Sequence, residues 1–143
     1  MAELQIKVSS IMFTDVVGYS RMIARDEAHA LDLLEEHNSI IRQAIERYDG
    51  KIIKFIGDSV FSEFDSSNNC AQSAIDIQDT LKKRNELSRK EDRVQIRIGL
   101  HCGNVVVKED DLFGNDVNLG SRIEGIAPLG GIAGSQNFCD TLD

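Results

Sequence analysis

Lys51-Ile52-Ile53-Lys54-Phe55-Ile56-Gly57-Asp58-Ser59-Val60-Phe61-Ser62-Glu63-Phe64 decides the architecture. Two short apolar runs, Lys51–Ile56 and Val60–Phe64, flank the turn residues Gly57-Asp58-Ser59, which is the pattern of a β-hairpin. Before it, from about Asp26 to Arg47, core-type residues recur at helical spacing: Ala30, Leu33, Leu34, His37, Ile40, Ile41, Ala44 and Ile45. Asp49-Gly50 ends that helix. After it, Asp65-Ser66-Ser67-Asn68-Asn69 supplies an N-cap for a second helix. That helix carries Ala71, Ala74, Ile75, Ile77, Gln78 and Leu81 and ends in the solvated charge run Lys82–Arg93.

Working outward, Leu4–Thr14 alternates and then runs apolar, a first strand ending at Asp15, and Val16–Tyr19 is a turn. Val94–His101 and Val105–Val107 read as a second strand pair around Cys102-Gly103-Asn104. A last helix covers about Asp116–Ile126 and stops before Ala127-Pro128-Leu129-Gly130-Gly131. The order β-α-β-β-α-β, then β-α, predicts an α+β fold: a ferredoxin-like sandwich whose mostly antiparallel sheet is covered by helices.

The chain has 143 residues, 41% of them hydrophobic and 28% charged, which is enough for one domain with a genuine core. A formal net charge of −8 argues against a nucleic-acid partner, although it leaves room for a nucleotide held by a metal and local cations. Cys70, Cys102 and Cys139 are odd in number and widely spaced, neither a disulfide framework nor a zinc site. No stretch reads as a membrane span or a signal peptide. The expected location is the cytoplasm, or the cytoplasmic face of a membrane if a longer parent protein is anchored.

Asp15 and Asp58 each sit where an apolar run breaks. Singly, each has an ordinary reading, a helix cap and a turn residue. Side by side, they favour a hard divalent cation with oxygen ligands. Four segments surround and extend them: Phe13-Thr14-Asp15-Val16-Val17-Gly18-Tyr19-Ser20; Lys54-Phe55-Ile56-Gly57-Asp58-Ser59; Arg97-Ile98-Gly99-Leu100-His101-Cys102-Gly103; and Asp111-Leu112-Phe113-Gly114-Asn115-Asp116-Val117-Asn118-Leu119-Gly120-Ser121-Arg122. In this order and spacing they resemble the catalytic domains of class III nucleotidyl cyclases, over nearly the whole chain.

The resemblance implies that Asp15 and Asp58 bind two divalent cations, Mg²⁺ or Mn²⁺, with the carbonyl of Val16 as an extra ligand. The implied reaction is attack of the ribose 3′-hydroxyl of ATP on its own α-phosphorus. Gly18 opens a turn whose free N–H groups hold phosphate oxygens. Arg97 matches a position that contacts the polyphosphate. Asn118 and Arg122, four apart on one helix face, orient the ribose and stabilise the charge on the α-phosphoryl group. Lys54 and Asp111, a donor and an acceptor, complement the adenine edge, where guanine would reverse the pattern. Asp110 beside Asp111 leaves a register alternative that the spacing to Asn118 decides for Asp111. His101 is expected as a satisfied core histidine.

The resemblance also implies a homodimer. One protomer would give Asp15, Asp58 and Arg97, and the other Lys54, Asp111, Asn118 and Arg122, so that an upstream sensor domain in a longer parent protein can act through dimer geometry. Family domains continue beyond the position of Asp143 with a phosphate-contacting lysine. Residues 1–143 are therefore expected to be one C-terminally incomplete cyclase domain with an exposed apolar patch. The alternatives are a catalytically silent nucleotide-binding or dimerisation module and a guanylyl cyclase. A dinucleotide cyclase is disfavoured because Gly-Gly-Asp-Glu-Phe is absent.

Overall fold

In the computed structural model, which describes residues 4–143, the long strand β1 (Gln5–Val16) runs through the middle of a curled sheet. On one side it pairs antiparallel with β3 (Ser59–Phe64), and β3 pairs with β2 (Lys51–Ile56), so the hairpin forms as its pattern requires. Gly57 takes φ +59° at the first turn position, a conformation that side-chain-bearing residues adopt at a cost. On the other side β1 pairs with β4 (Ile96–Lys108). The order β2-β3-β1-β4 is that of the ferredoxin-like fold. The far edge of β4 is shared: β5 (Asp111–Phe113) pairs antiparallel with its end, and β6 (Ile132–Gly134) pairs parallel with Ile98–Leu100.

The expected second strand pair is corrected here. Cys102-Gly103-Asn104 is no turn, because β4 continues straight through it in unbroken register with β1, from Val16↔Ile96 to Gln5↔Val107. A glycine within a strand also marks a close approach of another group. At Gly103 that group is the carboxylate of Asp116. The turn Val16–Tyr19 is also shorter than expected, since a short helix α1 (Tyr19–Arg25) follows Gly18 at once.

Two helices cover one face. α2 (Glu27–Arg47) is capped by Asp26, which accepts from the His29 N–H at 3.1 Å, and α3 (Ser67–Glu86) is capped by Ser66 in the same way. Their apolar stripes bury Leu33, Ile41, Ile45, Ile77 and Leu81 against Met12, Val60, Phe64, Ile96 and Ile98. Each such side chain contributes roughly 1.5–3 kcal/mol when fully buried. The opposite face carries a smaller cluster, Ile11, Phe13, Phe61, Val105 and Leu112, with Phe13 stacked on its cross-strand partner Phe61 at 4.4 Å between centroids. Over it lies α4 (Asn115–Gly125), and the short helix α5 (Gln136–Cys139) follows β6. Leu4, Ile6 and Val8, on the side of β1 that also carries Met12, stand about two-thirds exposed. Among the described residues no helix is long and apolar enough to cross a membrane.

Candidate active site

Alternation along β1 turns Ile11, Phe13 and Asp15 toward α4, and pairing sets Arg97 of β4 directly opposite Asp15. The β2–β3 turn delivers Asp58 to the same corner. Asp58 Oδ2 accepts from the Val16 N–H at 3.1 Å, and the Ser59 hydroxyl donates to Asp15 Oδ1 at 3.2 Å. Burial first, and then the neighbouring Asp58, push the Asp15 carboxyl up from 3.8 to about 6, against the pull of Ser59 and Arg97. Among the described residues Arg97 keeps its Nε buried and without a hydrogen-bond partner.

A third carboxylate joins them. Glu124, in the last turn of α4, is pushed up to about 7 by burial and by the charge of Asp15, with Arg97 opposing and Asp58 adding. Sequence reasoning passed over Glu124 and Ser59. Their helix and turn positions have ordinary uses, and only the folded arrangement sets them beside Asp15. This donor set, two neighbouring carboxylates whose proximity raises the Asp15 carboxyl, offers oxygen ligands that suit a hard divalent cation. Among the described residues no three His, Cys, Asp or Glu side chains form a cage by themselves. A cation there would complete its shell with substrate phosphate and water, as Mg²⁺ commonly does.

A second group forms at β2 and β5. Lys54 Nζ donates to Asp111 Oδ2 at 2.8 Å, which holds the Asp111 carboxyl below the usual carboxylate range, while its Oδ1 accepts from the Leu112 N–H. Asp111, rather than Asp110, therefore meets Lys54. Asp110 sits at φ +62° in the turn between β4 and β5. Asn118 and Arg122 are exposed on α4, and among the described residues their side chains make no hydrogen bond or ion pair. Gly18 is the N-cap of α1 at φ +73°, with no side chain capping the helix.

One fold thus brings Asp15, Asp58, Val16 and Arg97 together and, separately, Lys54 with Asp111. The site is an open surface: a cleft of about 460 Å³ includes Lys54 with Arg42 and Lys51, without Asp15 or Asp58. Sequence reasoning also missed Asp116, whose carboxylate is bound by His101 and by the backbone of β4. His101 itself is buried with both ring nitrogens engaged, as expected of a satisfied core histidine.

Known proteins are similar to this chain in sequence and fold. The chain is 33% identical over 134 residues to a putative adenylate cyclase 3 of Rhizobium meliloti (strain 1021), covering 92% of this chain and 23% of that protein. It is 28% identical to an adenylate cyclase of Streptomyces coelicolor, over 93% of this chain and 34% of that one. The chain therefore spans only a quarter to a third of the length of these relatives. An adenylate/guanylate cyclase/hydrolase from Silicibacter pomeroyi has the same fold, with a TM-score of 0.89 and 30% identity over 96% of this chain and 81% of that one. Residues 2–143 match the profile of the adenylate and guanylate cyclase catalytic domain, and the chain belongs to that family.

Proposed function

We propose that this domain is an adenylyl cyclase, converting ATP to 3′,5′-cyclic AMP and pyrophosphate at sites shared between two copies. The observation that carries the reaction is the meeting of Asp15 and Asp58 at one corner with Arg97 across the strand pair. The choice of base rests on the Lys54–Asp111 pair.

The reaction forms one bond, from the ribose O3′ to the α-phosphorus, and breaks the bond from that phosphorus to the bridging oxygen of pyrophosphate. The hydroxyl proton leaves to water. Divalent cations, Mg²⁺ or Mn²⁺, held by Asp15, Asp58 and the Val16 carbonyl, supply Lewis acidity for the hydroxyl and charge neutralisation for the polyphosphate. Arg97 donates to phosphate oxygens, for which its unpartnered Nε is suited. The uncapped start of α1 after Gly18 adds N–H groups. Lys54 donates to a ring nitrogen of adenine and Asp111 accepts from the exocyclic amine, so nucleotide replaces their mutual ion pair.

Asn118 orients the ribose, and Arg122 donates to the α-phosphoryl oxygens as charge builds there. Both stand exposed and unengaged within one chain, which fits delivery to the carboxylates of a second copy. The test is product formation from ATP and from GTP with Mn²⁺ at high protein concentration. Cyclic AMP from ATP, lost in Asp58→Ala, is expected. Cyclic GMP alone would overturn the base assignment, and no cyclic product from either would overturn the enzyme.

A further inference from the structure

α4 carries Asn118 and Arg122, yet Gly120 is its only buried residue. Its apolar contact is shallow, Gly120 on Ile11 and Phe13 with Val117 partly buried beside them, so polar contacts add to that area in fixing where the helix stands. The strongest of these is at its first turn. Asp116 Oδ1 accepts from His101 Nε2 at 2.8 Å and Oδ2 from the Asn104 N–H at 3.0 Å. The seat is built for that carboxylate: a Cβ at Gly103 would lie 2.3 Å from Asp116 Cγ and within 2.6 Å of both its oxygens.

His101 is itself fixed from behind. The Ser135 hydroxyl lies 2.6 Å from Nδ1, and its oxygen already accepts from the Phe138 N–H as the cap of α5, so its hydrogen is left for the ring. The Asp116 carboxylate accepts, so the ring's one N–H hydrogen sits on Nε2. The chain of bonds runs from the α5 cap through Ser135 and His101 of β4 to Asp116 of α4. None of these groups is among the residues assigned to substrate or metal, and His101 is only 2% exposed.

We propose that His101 is a positioning residue, clamping the first turn of α4 through Asp116 and thereby setting where Asn118 and Arg122 stand in the transition state. This rests on the cyclase reading for the role of those two residues. Misplacement on the order of 1 Å costs about 100-fold in rate when it falls on groups that act in the transition state. The effect belongs in kcat, because base recognition by Lys54 and Asp111 lies on β2 and β5, outside the clamp.

The test compares His101→Gln, His101→Asn and Asp116→Asn in the protein assayed with Mn²⁺-ATP. Glutamine carries its amide N–H about as far as Nε2 and keeps the bond to Asp116. Asparagine reaches only the Nδ1 position, and Asp116→Asn turns one acceptor into a donor. Expected are kcat within about 5-fold of wild type for His101→Gln and about 100-fold loss for the other two, with KM changed less than about 3-fold. Equal kcat in all three, or losses shared equally by kcat and KM, would overturn the proposal.

Amide hydrogen exchange supplies a readout independent of turnover. Exchange over Asn115–Arg122 should quicken at least about 10-fold in His101→Asn and Asp116→Asn, while the amides of β1 and β3 stay protected. If wild type makes no cyclic product, the enzyme reading has failed and exchange alone decides the clamp. Unchanged exchange in α4 would then overturn it.

Discussion

Replacing Asp15 by asparagine should stabilise the metal-free protein and abolish its response to divalent cations. In the folded chain burial, and after it Asp58, hold the Asp15 carboxyl at about 6 rather than 3.8. A rise of that size corresponds to about 3 kcal/mol against the ionised form. Asp15 keeps part of its surface in water, so roughly 1–2 kcal/mol is the expected net cost after screening. The sign follows from linkage. Below about 3.8 both folded and unfolded chains are protonated and the stability contribution is whole. It is lost as pH rises through the folded value, and above about 6 the folded protein carries the full penalty of the charge.

The asparagine side chain has no proton to lose and can still accept from Ser59. Thermal unfolding in EDTA should therefore give a Tm about 3–8 °C higher for Asp15→Asn than for wild type at about pH 8, with the gap closing toward pH 4. Addition of Mn²⁺ should reverse the order. Ligand at 100 times its Kd stabilises the folded state by about 2.7 kcal/mol, and only wild type should gain it. A variant less stable than wild type in EDTA at pH 8, or one that gains as much from Mn²⁺, would refute the reasoning.

Exchanging Lys54 for Glu together with Asp111 for Cys should move the ratio of kcat/KM for ATP over GTP at least about 10-fold toward GTP, read from cyclic products in competition. Asn118→Ala and Arg122→Ala should each lower kcat about 100-fold or more while shifting unfolding free energy by less than about 0.5 kcal/mol, because both side chains are exposed and unpartnered. Asp58→Ala and Arg122→Ala proteins, each inactive, should recover about a quarter of wild-type activity when mixed in equal amounts, since random pairing gives half heterodimers with one complete site each. Gly103→Ala should lower stability by about 1–3 kcal/mol in denaturant melts, because its methyl group must displace the Asp116 carboxylate.

Local patterns made the frame legible. The hairpin between two amphipathic helices announced itself through periods of 2 and 3.6 and through Gly57, and Ser66 caps α3 as its loop implied. The candidate site was legible where residue type and spacing coincide with a family pattern, as at Asp15, Asp58 and the Lys54–Asp111 pair that folding closes to 2.8 Å. What stayed hidden was set by tertiary approach. Cys102-Gly103-Asn104 has the composition of a turn, yet β4 passes through it because the absent side chain at Gly103 makes room for Asp116 of a later helix. Glu124 likewise reads as a solvated helix residue until α4 is laid over Asp15 and Arg97.

These misses share a cause that bears on how the site works. α4 has a shallow apolar contact, Gly120 fully buried on Ile11 and Phe13 with Val117 partly buried beside them, so its place is only weakly written as an apolar stripe. It is held in part by a polar clamp at its first turn, while Glu124 at its last turn lies beside Asp15 and Arg97. A helix located in this way is free of the large, indifferent area term that would hold it anywhere along the sheet. Its position is specific to a few bonds, and a small change at any of them moves Asn118 and Arg122 together. That is a suitable carrier for two groups proposed to meet a phosphoryl oxygen and a ribose in register. On this view the kcat of this domain should be more sensitive to His101 on β4 and to Ser135 behind it than its stability is.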